Sequence, residues 1–336
     1  MQIAICPSAH GFGHTSRQLA LGAALLKKGH QVHFFSHIPH FVQQYLPKAT
    51  ITQASFDVGL YQPNPIHIDI QKTLLFLNQR CSTQQIDRIA FMLRNFDLVI
   101  ADIPAIVLEA CRQQNIACIA ISNFDWSWIY AQFPELQFWS QKMARWQQHH
   151  TALHIQPGPP LTHFNSVRSI SPLVREHESH QVPNKQILLA FGGFESQQLI
   201  ESLPRLPNIQ YLLTPPNRPC NRSDIDYCDN TPYQRLISGC WAILGKPGYG
   251  LITEAAQAGT PLILIPRTIF PESEYLKSFS KKHGQIWLQH SPKEKSFASE
   301  LIHSIKTIEK RGRKTPSHFS GTQEVLDYLT LQYLLP

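Results

Sequence analysis

Short, unbroken apolar runs punctuate the chain, and each is followed by polar residues at helical spacing. In the first half the runs are "QIAIC" (2–6), "QVHFFS" (31–36), "DLVIAD" (97–102) and "ACIAIS" (117–122). Runs without polar alternation fit strands buried on both faces of a parallel sheet. The segments between them carry one apolar face each, which predicts helices over 15–29, about 72–95 and 104–115. The stretch "SWIYAQFPELQFWSQKMARWQQHH" (127–150) reads as helical, with a break near Pro134.

The pattern then lapses. "PGPPLTHFNSVRSISPLVREHESHQVPN" (157–184) holds five prolines and no helical period, and reads as an interdomain connection. Beyond it the alternation restarts, with strands at "QILLAFGG" (186–193), "IQYLLT" (209–214), "WAILG" (241–245) and "PLILIPR" (261–267). Helical stretches separate them at "SQQLIESL", "YQRLISGC" and "LITEAAQAG". More helix is expected from about 294 to 311, and a last helix from about 321. Two sets of βα units predict an α/β chain of two facing doubly wound, Rossmann-like domains with a cleft between them. The expected bounds are 1–165 and 166–320, with 321–336 crossing back to the first domain. Ligands of such sheets bind beyond the carboxyl ends of strands, which puts the glycine turns of this chain at the expected cleft.

Composition narrows the class. A length of 336 residues suits two domains, and 43% hydrophobic content with 25 prolines suits a globular chain rich in loops. "MQIAIC" runs straight into a glycine turn, so no signal peptide is read at the start. No apolar run approaches the roughly 20 residues of a membrane helix. A cytoplasmic protein is expected. Seven singly placed cysteines, with no C-x-x-C pair, speak against a disulfide framework or a zinc ribbon. The net charge of +7 is moderate, and its densest cluster, "KTIEKRGRK" (306–314), reads as a solvated helix end. No nucleic-acid partner is expected. The overall sign suits an anionic ligand or peripheral contact with a membrane surface.

Among motifs, G-x-G-x-x-S at 11–16 approaches a dinucleotide fingerprint but lacks its third glycine, and "FFSH" (34–37) offers no acid for a ribose. Neither a P-loop nor a G-x-S-x-G elbow occurs. "DID" (224–226) has the acid spacing of a metal site but lies in the polar loop "NRSDIDYCDN", and no metal is expected. The region "GCWAILGKPGYGLITEAAQAG" (239–259) is more informative. Gly248 and Gly250 bare the backbone at a helix N-terminus, Lys246 adds a full positive charge, and Glu254 lies about one turn inside. Bare amides and a lysine suit a diphosphate, and a carboxylate suits the paired hydroxyls of a ribose.

Four stretches carry a resemblance across both domains: "GHTSRQLAL", "VIADIPAIVLEACRQQNIACIAISNFDWSWIYAQF" (99–133), "TPYQRLISGCWAILGKPGYGLITEA" (231–255) and "FPESEYL" (270–276). The chain resembles inverting GT-B glycosyltransferases, and within them the transferase-like N-terminal domain of plant L-arabinokinases. It ends where those proteins would begin their kinase domain, so no sugar kinase activity is expected. The resemblance implies that His14 deprotonates the acceptor hydroxyl while Asp102 fixes its tautomer, a task suited to a His–carboxylate pair. His10 is the competing base and an acceptor-side candidate. On the donor side it implies Gly13, the turn glycines Gly192 and Gly193, and Tyr233 near the base. Lys246, Gly248, Tyr249 and Gly250 would hold the diphosphate, Glu254 the ribose, and Glu272 the sugar. Lys246 stands where the family usually has a histidine, and Ser273 where it often has an amide. The aromatic-dense "NFDWSWIYAQFPELQFWSQK" (123–142) leaves a strand on the side of His14, so Asp125, Trp126 and Tyr130 are expected to line an acceptor pocket.

These readings converge on metal-independent transfer of a sugar from a nucleoside diphosphate, expected to be UDP, to an unidentified hydroxyl. The donor is a substrate, and no cofactor is expected. Two alternatives use the same fold. A nucleotide-sugar epimerase would convert the donor without an acceptor, and a non-catalytic nucleotide-sugar sensor would bind it without releasing UDP.

Overall fold

The computed structural model of the chain describes residues 1–62, 68–175, 185–191, 197–215, 217–229, 231–266 and 271–334. The chain divides into two compact units, Met1–Leu173 with Phe319–Pro336, and Val174–His318. Each is a parallel sheet flanked by helices.

In the first unit the strands are β1 (Gln2–Pro7), β2 (Gln31–Ser36), β3 (Thr50–Gln53), β4 (Leu98–Asp102), β5 (Cys118–Ser122), β6 (Thr151–Ile155) and β7 (Ser166–Ile170). They lie in the order β3-β2-β1-β4-β5-β6-β7, every neighbouring pair parallel. Ile3–Cys6 in β1 and Leu98–Ala101 in β4 are wholly buried, which is why these strands show no polar alternation. From β1 the chain winds outward to β3, then returns to start β4 on the other flank of β1. Connections therefore leave β1 and β4 in opposite directions, and the gap between their carboxyl ends is the crevice where such sheets bind ligands.

The strands β3, β6 and β7 are not among those expected from the sequence. β7 has a mostly exposed, polar edge sequence and lies within the expected connection. Its pairing with β6 carries the first unit on to Leu173, past the expected boundary at 165. The stretch expected as one helix over about 72–95 is two, Ile70–Arg80 and Thr83–Leu93, the second capped by Ser82. Pro134 opens a short 3₁₀ turn between the helices Trp126–Ala131 and Gln137–Gln147. The C-terminal helix Gly321–Leu329 belongs to the first unit, where Glu324 accepts the Ser171 amide at 3.2 Å.

The second unit contains β8 (Gln186–Ala190), β9 (Gln210–Leu213), β10 (Ile225–Tyr227), β11 (Ala242–Gly245), β12 (Leu262–Leu264) and β13 (Ile286–Trp287), in the order β10-β9-β8-β11-β12-β13 and parallel throughout. Ile187, Leu189, Leu244 and Ile263 pack there against Phe297 and Leu301 of the helix Phe297–Arg311. The switch point of this sheet lies between β8 and β11. Gly245 ends β11 there, and a Cβ on it would stand 2.7 Å from the Ala190 carbonyl oxygen, so the two strand ends close up only around a glycine. Among the described residues no helix is long and apolar enough to cross a membrane.

Candidate active site

At the first switch point the register sets Pro7 beside Asp102, and the Ser8 amide donates to the Asp102 carbonyl at 2.6 Å. Gly11, with φ 77°, turns the chain from β1 into the helix Phe12–Lys27. Gly13 lies exposed in its first turn, and a Cβ there would meet no neighbouring atom within 4 Å. The next residue is His14. Its Nδ1 donates to Asp102 Oδ1 at 2.8 Å, so the expected pair forms, 88 residues apart in sequence. His10 instead sits edge-on to Trp126, with ring centroids 5.1 Å apart, and beside Gly59.

The carboxylate has more partners than His14. Arg17 Nη2 shares Oδ1, while Arg17 Nε and Gln18 Nε2 donate to Oδ2 at 2.6 and 2.8 Å. The guanidinium extends to Asn123 Oδ1 at 2.5 Å and to Ser122 Oγ at 2.9 Å. Asp102 is fully buried and Arg17 is 4% exposed. Burial alone would raise the Asp102 pKa. The Arg17 and His14 charges and their hydrogen bonds outweigh it and hold the carboxyl well below the usual range.

Donor accounting fixes the tautomer. Arg17 Nη2 also lies 2.9 Å from His14 Nδ1, but its two hydrogens are taken by Asp102 Oδ1 and Ser122 Oγ. Nδ1 therefore carries its own proton toward Asp102 and leaves the lone pair on Nε2, which takes no partner among the described residues. The ring is thus oriented with Nε2 as its open nitrogen. His37 also faces it; its pKa is pushed down first by burial, and the nearby His14 adds to that against the pull of Asp57.

The acceptor-side expectation is corrected. Asp125, Trp126 and Tyr130 are all completely buried and do not line a pocket. Asp125 caps the helix Trp126–Ala131, accepting the Trp128 amide at 2.8 Å. Trp126 Nε1 donates to Asp57 Oδ2 at 2.7 Å, and Asp57 Oδ1 accepts the Ala9 amide at 2.8 Å. Tyr130 donates to the Gly59 carbonyl at 2.9 Å and stacks on Trp126. These aromatics brace the turn that carries His14 from beneath. Such density reads as a sugar-stacking surface in sequence, but apolar area without an exposed edge serves as core.

In the second unit, β11 ends at Gly245 and half-buried Lys246 follows, its amide donating to the Ala190 carbonyl at 3.2 Å. Gly248 precedes the helix Tyr249–Ala258, whose N-terminus has no side-chain cap and no acid in its first turn. Tyr249 is buried and Gly250 half-buried at that end. Such an end presents amides to an anion. Glu254 is 6% exposed and engaged in an unforeseen ion pair. Arg175 Nε and Nη2 reach its Oε1 at 3.2 and 3.0 Å, and Gln234, its amide oxygen turned to the guanidinium, accepts from Nη2 at 3.0 Å. Both contacts on Glu254 fall on Oε1; among the described residues Oε2 takes none. Tyr233 adjoins this cluster, and burial, reinforced by the Glu254 charge, pushes its phenol up against the opposing Arg175. Glu272 lies buried just before the helix Ser273–Lys282. The "DID" acids are otherwise engaged: Asp224 pairs with Arg222 at 2.6 Å, and Asp226 accepts from Gln186 at 3.3 Å. Gly192 and Gly193 lie outside the described residues.

The residues not foreseen are Arg17, Gln18, Asn123 and Asp57 in the first unit, and Arg175 and Gln234 in the second. Arg17 carried a signal, since it lies three residues after His14 and so shares its helix face. Asp57 and Arg175 stand in irregular segments without a period to reveal them.

With both sheets and both clusters in view, the fold is that of the GT-B glycosyltransferases. A UDP-glucosyltransferase from Polygonum tinctorium superposes with a TM-score of 0.64 at 14% identity, over 97% of this chain and 93% of that one. Arabidopsis thaliana UGT89C1 complexed with UDP-L-rhamnose gives 0.64 at 11% identity, over 99% of each chain. Glycosyltransferase VinC in complex with dTDP gives 0.58 at 14% identity, over 98% of this chain and 99% of that one. In sequence, the chain is similar to the L-arabinokinase of Arabidopsis thaliana, at 24% identity over 81% of this chain and 29% of that protein. It thus spans under a third of the relative that it matches. No family model matches the chain.

Replacing Trp126 by alanine removes a buried indole and leaves Asp57 Oδ2 without its donor. The expected loss is about 3–5 kcal/mol of stability, read from denaturant unfolding. A variant of unchanged stability would show that Trp126 is not the brace described.

Proposed function

We propose that the chain is an enzyme that transfers a sugar from a nucleoside diphosphate, uridine being the expected base, to a hydroxyl acceptor with inversion at the anomeric carbon. The observation that carries this reading is the His14–Asp102 pair, buried at the first switch point with Nε2 as the remaining acceptor. The acceptor hydroxyl gives its proton to Nε2 as its oxygen bonds to the anomeric carbon. The bond from that carbon to the diphosphate breaks with its electron pair on the departing oxygen. A single displacement of this kind inverts the centre. Asp102 stabilises the imidazolium that forms, and Arg17 holds the carboxylate in place.

The second unit supplies the donor side. Lys246 and the bare N-terminus of Tyr249–Ala258 offset the negative charge that develops on the diphosphate, a form of preorganised electrostatic stabilisation. Glu254 Oε2 accepts ribose hydroxyls while Arg175 holds Oε1. The relatives support this assignment by what they bind: UDP-L-rhamnose in one case and dTDP in another. UGT89C1 from Arabidopsis thaliana is also known complexed with quercetin.

Replacing His14 by alanine is expected to lower turnover at least about 100-fold, the usual worth of a general base, while UDP affinity stays unchanged. UDP release in the presence of acceptor reads the first quantity and calorimetry the second. Wild-type turnover in the variant would remove His14 from the reaction. In the second unit, Lys246→Ala and Glu254→Gln should each weaken UDP binding in the same calorimetry, the former lost with pyrophosphate as probe and the latter not. Unchanged affinity in both would reduce the glycine turn to a structural one.

A further inference from the structure

At the opposite end of the second sheet, where β12 and β13 begin, lies a groove of about 450 Å³. It is bounded by the C-terminal ends of the helices Tyr249–Ala258, Ser273–Lys282 and Phe297–Arg311, and by the segment 312–317. Lys281, Lys282, Arg311 and Lys314 line it together with His283, and no carboxylate does among the described residues. Basic residues at helix C-termini ordinarily answer the helix dipole. Three C-termini present about 1.5 negative units in all, against four permanent cations. A further cation beneath the groove is already engaged. Arg313 donates to the Ser238, Cys240 and Ala258 carbonyls at 3.0 Å each and to Thr260 Oγ1 at 2.7 Å. The lining cations are therefore in excess.

The groove is also built. Lys314 N donates to the Gly259 carbonyl at 3.1 Å and Ser317 N to the Ala256 carbonyl at 3.0 Å, which pins segment 312–317 against the helix end. The Lys314 stem crosses Gly284 so closely that a Cβ there would lie 2.7 Å from Lys314 Cε. His283 Nδ1 is 2.9 Å from Ser317 Oγ. One polar atom of the lining is unanswered. Gln285 Nε2 donates to the Ile252 carbonyl at 2.8 Å, which fixes the amide orientation and leaves Oε1 buried without a donor.

We propose that this groove binds the phosphate ester of a small polyhydroxylated molecule. The excess cations take the phosphate, and Gln285 Oε1 accepts a hydroxyl. Its volume falls within the roughly 300–1,000 Å³ of small-molecule sites. The proposal does not depend on the transfer reaction, because the groove and the Lys246 turn lie at opposite ends of the Tyr249–Ala258 helix.

Calorimetry on the full chain, saturated with UDP to occupy the candidate donor site, tests the proposal with glucose 6-phosphate, glucose and inorganic phosphate as probes. Glucose 6-phosphate should bind at one site per chain. The double variant Lys281→Ala/Lys314→Ala should weaken it by about tenfold or more, while Lys27→Ala in the first unit should not. Gln285→Met should weaken glucose 6-phosphate but leave inorganic phosphate unchanged, and glucose alone should not bind. Equal affinity in the wild type and the double lysine variant would overturn the proposal, as would the absence of binding at millimolar concentration. Capture by phosphatidylglycerol vesicles without binding of glucose 6-phosphate would also overturn it, in favour of a lipid headgroup.

Discussion

The first unit is organised around one buried carboxylate. Asp102 lies at the end of a central strand with no exposed surface, and a charge so placed persists only if donors surround it. His14, Arg17 and Gln18 supply them, all from the first two turns of the helix that follows β1. That requirement dictates where the helix starts, which is why a positive-φ glycine stands at the strand's tip. It also explains the brace beneath: Asp57 ties the Ala9 amide to the Trp126 indole and fixes the entry of the turn. A buried ion pair of this kind contributes geometry more than stability. The result is a histidine whose orientation and tautomer are set by its neighbours.

The second unit repeats the device in another setting. Glu254, like Asp102, is a buried carboxylate held by a buried arginine, and in both cases one acceptor atom takes no partner among the described residues. In one unit that is the imidazole Nε2, in the other a carboxylate oxygen. The contrast lies in how the carboxylate is shared. Arg17 shares Asp102 with His14 and Gln18, whereas Arg175 meets Glu254 on one oxygen.

The strands that build the two switch points were legible because they are buried on both faces and carry no polar interruption. β1, β4, β8 and β11 all read from the sequence for that reason, and with them the GT-B fold and the turns bearing His14 and Lys246. Edge strands such as Ser166–Ile170 were not, since solvent on one side allows a loop-like composition. Within the site, the His14–Asp102 pair was legible through the resemblance, whereas Arg17 needed the helix face as well as the residue. Arg175 and Asp57 could not be placed, because irregular backbone has no period from which to infer direction. The aromatic run misled for a related reason. Composition shows that Trp126 and Tyr130 are large and amphipathic, but only packing shows that their polar tips are already engaged by Asp57 and the Gly59 carbonyl.

The central claim is that Asp102 and Arg17 together orient His14 with its proton on Nδ1 and its lone pair on Nε2. Nitrogen-15 NMR of the imidazole side chains, with His14 assigned by its loss in His14→Gln, tests this directly at neutral pH. The account predicts a pyrrole-like Nδ1 and a pyridine-like Nε2 for His14. A proton on Nε2 with Nδ1 as the bare nitrogen would contradict it, and would leave the proposed base with no lone pair to offer an acceptor.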